Sequence, residues 1–103
     1  MSNNSAFTPI YATVNISAGS TTANVALGNS AGDAVDVRVC NHGTVAIFID
    51  FGASSVTASA STSMPIAAGG VEILSFGPSV THMAAITASA SNQAIYATAG
   101  QGV

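Results

Sequence analysis

Cys40, His42, Asp50 and His82 are the residues of this chain whose types could hold a transition metal: a thiol, two imidazoles and a carboxylate. Structural and catalytic metal sites are built on close ligand pairs such as Cys-x-x-Cys or His-x-x-x-His, and neither spacing occurs here. Cys40 beside His42 reads instead as a small thiol next to a turn histidine, and no metal or other cofactor is expected. A Cys/His nucleophile would need a cationic setting for the thiolate and an oxyanion site, and the sequence points to neither. Paired carboxylates for general acid and base work are formally available in Asp33, Asp36, Asp50 and Glu72. Asp36 two residues before Arg38 is more economically an ion pair on one strand face, and Glu72 just after Gly69-Gly70 a solvated turn charge. The glycine pairs precede strands, and no phosphate-cradling loop ends in lysine. The expectation is a protein without enzymatic activity.

Composition narrows the partners. Lysine is absent, Arg38 is the one strong cation, and charged residues make up 5% of the 103, against about a quarter in ordinary domains. A nucleic-acid binder neutralises several phosphates with Lys and Arg, so direct DNA or RNA binding is not expected. Hydrophobic residues reach 49%, but many are alanine, and no run approaches the ~20 apolar residues of a spanning helix. Two Tyr and no Trp cannot build the aromatic girdles of a membrane barrel. The start of the chain lacks a basic, continuously apolar secretory signal, so folding in a reducing cytoplasm is expected and the Asn3-Asn4-Ser5 and Asn15-Ile16-Ser17 sequons are not expected to carry glycan. One cysteine forbids an internal disulfide, leaving packing alone to hold the fold.

Period-two alternation dominates the elements that must position these groups. Val35, Val37 and Val39 alternate with Asp36 and Arg38, and Val45, Ile47, Ile49 and Phe51 alternate with Ala46, Phe48 and Asp50. The intervening Asn41-His42-Gly43 predicts an antiparallel hairpin with Val39 opposite Val45, Val37 opposite Ile47 and Val35 opposite Ile49. Ile10 to Ile16 predicts a strand with Ile10, Ala12, Val14 and Ile16 on one face, and Thr22 to Leu27 another. Ser54 to Ser63 reads as a weak strand or a long surface loop. Met64-Pro65-Ile66 reads as an edge strand because Pro65 lacks an amide hydrogen, turning through Gly69-Gly70 into Val71 to Phe76. His82 to Ala88 and Gln93 to Ala99 complete the set, with Ile86 facing Ile95. Seven or eight short strands without a helical period predict an all-β antiparallel sandwich or jelly roll over residues 10–99, with flexible ends at 1–9 and 100–103. Strand exchange within a trimer is the alternative arrangement.

The predicted surface is undefended. Edge strands usually carry lysines, inward charges or prolines against unwanted pairing, and most strands here carry none, their outward positions being Ser, Thr, Ala and Asn. Such faces are expected to be covered by protein neighbours. In the predicted hairpin Phe48 shares the outer face with Asp36, Arg38 and Asp50, either as a contact residue or lying under the Arg38 stem. The candidate protein-interface residues are Phe7, Pro9, Tyr11, Asp36, Arg38 and Phe48.

From Val35 onward the pattern resembles the small all-β virion proteins of tailed bacteriophages, in particular the decoration or cement proteins of the head. The resemblance is carried by Val37-Arg38-Val39-Cys40-Asn41-His42-Gly43, Ala46 to Gly52, Met64-Pro65-Ile66-Ala67-Ala68-Gly69-Gly70-Val71-Glu72, Thr81 to Ile86, and Ile95 to Gly102. It implies a protein made in the host bacterial cytoplasm that adds to the capsid surface of the virion, often as a homotrimer, and clamps subunits of the major capsid protein. Alternatives are a tail, baseplate or head-fibre component binding glycans through Tyr11, Tyr96 or Phe48, and a β-sandwich binding module unrelated to phage.

Overall fold

In the computed structural model, residues 7–29, 35–88 and 92–101 are described, and they form an all-β domain of nine strands in two antiparallel sheets. The strands are β1 (Thr8–Pro9), β2 (Val14–Ala18), β3 (Ala23–Ala26), β4 (Val35–Asn41), β5 (Ile47–Gly52), β6 (Met64–Ile66), β7 (Val71–Phe76), β8 (His82–Ile86) and β9 (Gln93–Gln101). The first sheet runs β1-β9-β4-β7, with β2 also on β9, and the second runs β3-β8-β5-β6. Four antiparallel pairs nest inside one another along the chain: β2 with β9, β3 with β8, β4 with β7, and β5 with β6. That is one long hairpin rolled over on itself, the jelly-roll form of the sandwich.

The alternating residues build the core as their periodicity demands. Val37, Val39, Ile95 and Ala97 of the first sheet and Ile47, Ile49, Met83 and Ala85 of the second are at most 1% exposed and belong to one cluster. The pairing differs from the sequence expectation at every tight turn. β4 and β5 do not form a hairpin: β4 lies between β7 and β9, and β5 between β6 and β8. Burying Val35, Val37, Val39, Ile47 and Ile49 requires only that these faces meet, which two facing sheets about 10 Å apart achieve as well as two adjacent strands. The backbone of Asn41 decides between them. Its N–H donates to the Gly70 carbonyl and its carbonyl accepts from Gly69 N–H, both at 2.9 Å, which ties the end of β4 to another corner.

Other turns follow the same rule. Gly69 takes the positive φ of +75° that suits a turn, and Gly70 N–H closes it on Ala67 O at 2.8 Å, but the chain passes from β6 in the second sheet to β7 in the first. Ile86 pairs with Phe48 and Ile95 with Ile16 and Asn41, so these two isoleucines are not partners. Val45 precedes β5 and is 38% exposed. At the start, Ile10 and Tyr11 both donate to the Ala99 carbonyl, at 3.2 and 3.0 Å. Two residues opposite one form a bulge that breaks the alternation, leaving Ile10 56% exposed. Pro65 does sit on an edge strand, β6.

The described residues at the two ends pair with each other. Phe7 is buried, Thr8–Pro9 pair with Gln101 and Gly100, and Gly100 and Gln101 belong to β9. Gly100 makes this possible. A Cβ there would run into the Thr8 carbonyl and stand 3.0 Å from both the Phe7 ring and the Pro9 Cα. Residues 1–6 and 102–103 of those segments lie outside the described residues.

Candidate functional site

The two outer faces of the sandwich differ. The second sheet is covered by its own chain: the connection from β5 to β6, residues 53–63, crosses its outer face. Asn24 Nδ2 donates to Ser54 O at 3.0 Å and Val56 O at 3.2 Å, and Ala58 N–H donates to Thr22 Oγ1 at 2.8 Å. Beneath this strap Ala84, which points outward from β8, is 0% exposed. The stretch that reads as a weak strand or loop is therefore a cover, and its Ser/Thr/Ala composition lets it lie flat.

Among the described residues no such strap crosses the first sheet's outer face, whose side chains are half-buried to exposed. Strand β4 contributes Asp36, Arg38 and Cys40, β9 contributes Tyr96 and Thr98, and β7 contributes Val71 and Ile73, in rows fixed by the register Tyr96–Cys40–Val71 and Thr98–Arg38–Ile73. Arg38 is exposed, and Val71 is 45% exposed. The Arg38 guanidinium donates to Cys40 Sγ at 3.1 Å, and the His42 ring meets Tyr96 edge-on at 4.9 Å. Thr13 and Thr98 hydroxyls bond at 2.7 Å further along. A shallow depression of about 330 Å³ next to this face is lined by Cys40, Asn41, His42 and Gly43 on one side and Gly69, Gly70 and Val71 on the other.

The six predicted interface residues are not one patch. Pro9, Asp36 and Arg38 lie on the first sheet, where Gly100 pairs with both Pro9 and Asp36. Tyr11 is half-buried against the core and Phe7 is buried inside the chain. Phe48 lies on the second sheet, between Pro65 and Ile86, and so shares no face with Asp36 and Arg38. That correction follows from the crossover that replaces the hairpin. Val71 and Ile73 are the contact candidates that sequence reasoning missed, and Tyr96, expected only as a glycan-stacking candidate, joins them beside Cys40. Their alternation was visible, but which strands lie beside Arg38 was not.

The candidate metal set is split by the same crossover, with Cys40 on the first sheet, His42 just past the end of β4, and His82 and Asp50 on the second sheet. Among the described residues no three His, Cys, Asp or Glu side chains come together. Asp36, Asp50 and Glu72 sit on β4, β5 and β7, and Asp33 lies outside the described residues. No helix among the described residues is long and apolar enough to cross a membrane.

A second concavity opens at the side of the sandwich. β6 is three residues long and pairs with Ile47, Phe48 and Ile49, so past Met64 the residues Asp50, Phe51 and Gly52 have β8 on one side and no strand on the other. A cleft of about 260 Å³ results, with Ile49 and Phe51 on one wall, Leu74 and Phe76 on the other, and Asp50, Thr62, Ser63 and Met64 around it. Phe51 and Phe76 stack across it at 4.2 Å.

The described residues thus form an all-β jelly roll with one self-covered outer face and one outer face of low charge. No protein-family model and no curated protein matches the sequence. Among solved structures the chain is similar to one from the Bacillus endospore appendages, described as a novel family of disulfide-linked pili, with a TM-score of 0.62 and 18% identity over 100% of this chain and 95% of that one. At that identity the likeness concerns the fold.

Proposed function

We propose that this chain is a structural subunit of a larger protein assembly, and specifically a capsid decoration protein that adds to the outside of a tailed-phage head and stabilises it. The supporting observation is the open outer face of the first sheet, where Val71, Ile73, Tyr96 and the Arg38 stem offer apolar contact around a single cation. Repetition on a lattice multiplies such modest contacts, so no deep pocket is required of any one copy. The partner in this reading is the major capsid protein, and trimers of the chain seat on the shell.

Purified protein mixed with undecorated heads and sedimented tests this. Co-sedimentation of the wild type, reduced about tenfold or more by Tyr96→Lys, is the expected result. Failure of the wild type to co-sediment refutes it. The fold shared with the spore appendage favours a second reading, a subunit that assembles with itself into a fibre. Electron microscopy of the concentrated protein alone separates the two, since filaments without heads support self-assembly.

A further inference from the structure

We propose that β7 is a pairing edge for the β7 of a second copy of this chain, joining the two first sheets into one across a two-fold axis at Ile73. The backbone shows which groups are on offer. Asn41 N–H donates to Gly70 O and Asn41 O accepts from Gly69 N–H, so at Asn41 the backbone of β4 faces β7. Backbone direction alternates along an antiparallel pair, which turns Val39, Val37 and Val35 the same way, bonded to Glu72, Leu74 and Phe76. The N–H and C=O groups of Val71, Ile73 and Ser75 therefore point away from β4, and among the described residues nothing bonds to them.

The other edges offer less. The same alternation turns only Pro65 outward from β6, and a proline has no N–H to give. From β2 it turns out Asn15 and Ser17, and from β3 Asn24 and Ala26, beside the strap that Asn24 holds. β7 is the one of these edges that turns out a third residue, and it carries neither proline nor lysine. Counting bonds then selects the occupant. With Ile73 opposite Ile73, Val71 of each copy stands opposite Ser75 of the other, and every outward residue joins a pair that exchanges both its hydrogen bonds. A β2 or β3 partner leaves part of this row unpaired. The side chains accept the same register, because Ile73 meets Ile73 on the outer face as a cross-strand pair. Glu72, the one charge of the strand, is exposed and comes opposite Leu74 of the second copy rather than opposite Glu72.

Edge pairing leaves the outer faces of both copies free, so this inference and head binding can fail separately. The test uses the full chain alone at concentrations up to about 1 mM. Sedimentation equilibrium is expected to show monomers and dimers, and Ile73→Lys, which sets two lysines opposite each other at the axis, is expected to weaken the dimer about tenfold or more. Amide hydrogen exchange supplies a signature that needs no variant. As concentration rises, exchange is expected to slow at residues 71, 73 and 75 and to change little at 72, 74 and 76, whose N–H groups are already bonded to β4. A monomer throughout, an open-ended series of oligomers, a dimer that Ile73→Lys leaves intact, or slowed exchange without this alternation overturns the proposal.

Discussion

Replacing Asn41 by alanine tests the central claim that corners between sheets, not hairpins, define this fold. Asn41 is 1% exposed. Its Nδ2 donates to Val45 O at 2.9 Å, Ile66 O at 3.1 Å and Ala67 O at 3.2 Å, and its Oδ1 accepts from Gly43 N–H at 2.9 Å. One side chain thus holds the β4–β5 corner and the β6–β7 corner together. Two amide hydrogens shared among three carbonyls, plus one accepted bond, correspond to about three net hydrogen bonds at ~1 kcal/mol each. Alanine therefore costs about 3 kcal/mol, a large share of the roughly 5–15 kcal/mol that stabilises a domain. For a chain of this size that lowers the melting temperature by about 12–24 °C. Asn41→Asp keeps the acceptor for Gly43 but loses both donors and buries a charge, so it falls at least as far. Urea unfolding followed by circular dichroism gives both values. Losses below about 0.5 kcal/mol in both variants, the size of an ordinary surface substitution, refute the reasoning.

Other variants separate local from global effects. Asn24→Ala removes two of the three bonds described between the strap and the second sheet, and at this exposed site it should cost only about 1 kcal/mol; the readout is faster proteolysis within residues 53–63, with the melting temperature lowered by a few degrees. Gly100→Ala places a methyl group against Phe7 and the β1 backbone, so hydrogen exchange at residues 7–9 should rise while β4 and β8 stay protected, at a cost of about 1–3 kcal/mol; unchanged protection at 7–9 counts against the close approach. Because the chain has one cysteine, oxidation can yield a covalent dimer through Cys40 and no longer series; a ladder of disulfide-linked species on a non-reducing gel contradicts this, and Cys40→Ser should remove the dimer.

Much of the core was legible in the order of residues alone. Val37, Val39, Ile47, Ile49, Ile16 and Ile95 were all expected on inner faces, and all are buried, because in a strand the side-chain direction follows from sequence parity. Pro65 announced an edge for an equally local reason, its missing amide hydrogen. The bulge at Ile10–Tyr11 was not legible, since it depends on a carbonyl of Ala99 that reaches that point only after the chain has returned from its far end. The role of Asn41 was hidden in the same way. An asparagine before a glycine-containing turn looks like turn chemistry, and only the fold brings Ile66 and Ala67 to its amide.

Sequence by itself determined an all-β chain, poor in charge, with an inward apolar row marked by alternation in its central strands. Tertiary structure decided which strands are neighbours, and with that every surface: Phe48 moved to the opposite sheet from Arg38, Tyr96 and Val71 came beside Cys40, and the short β6 left a cleft next to Asp50. The physical reason is that alternation encodes a direction, inward or outward, whereas pairing is settled by long-range hydrogen bonds between segments whose sequences carry no mark of each other.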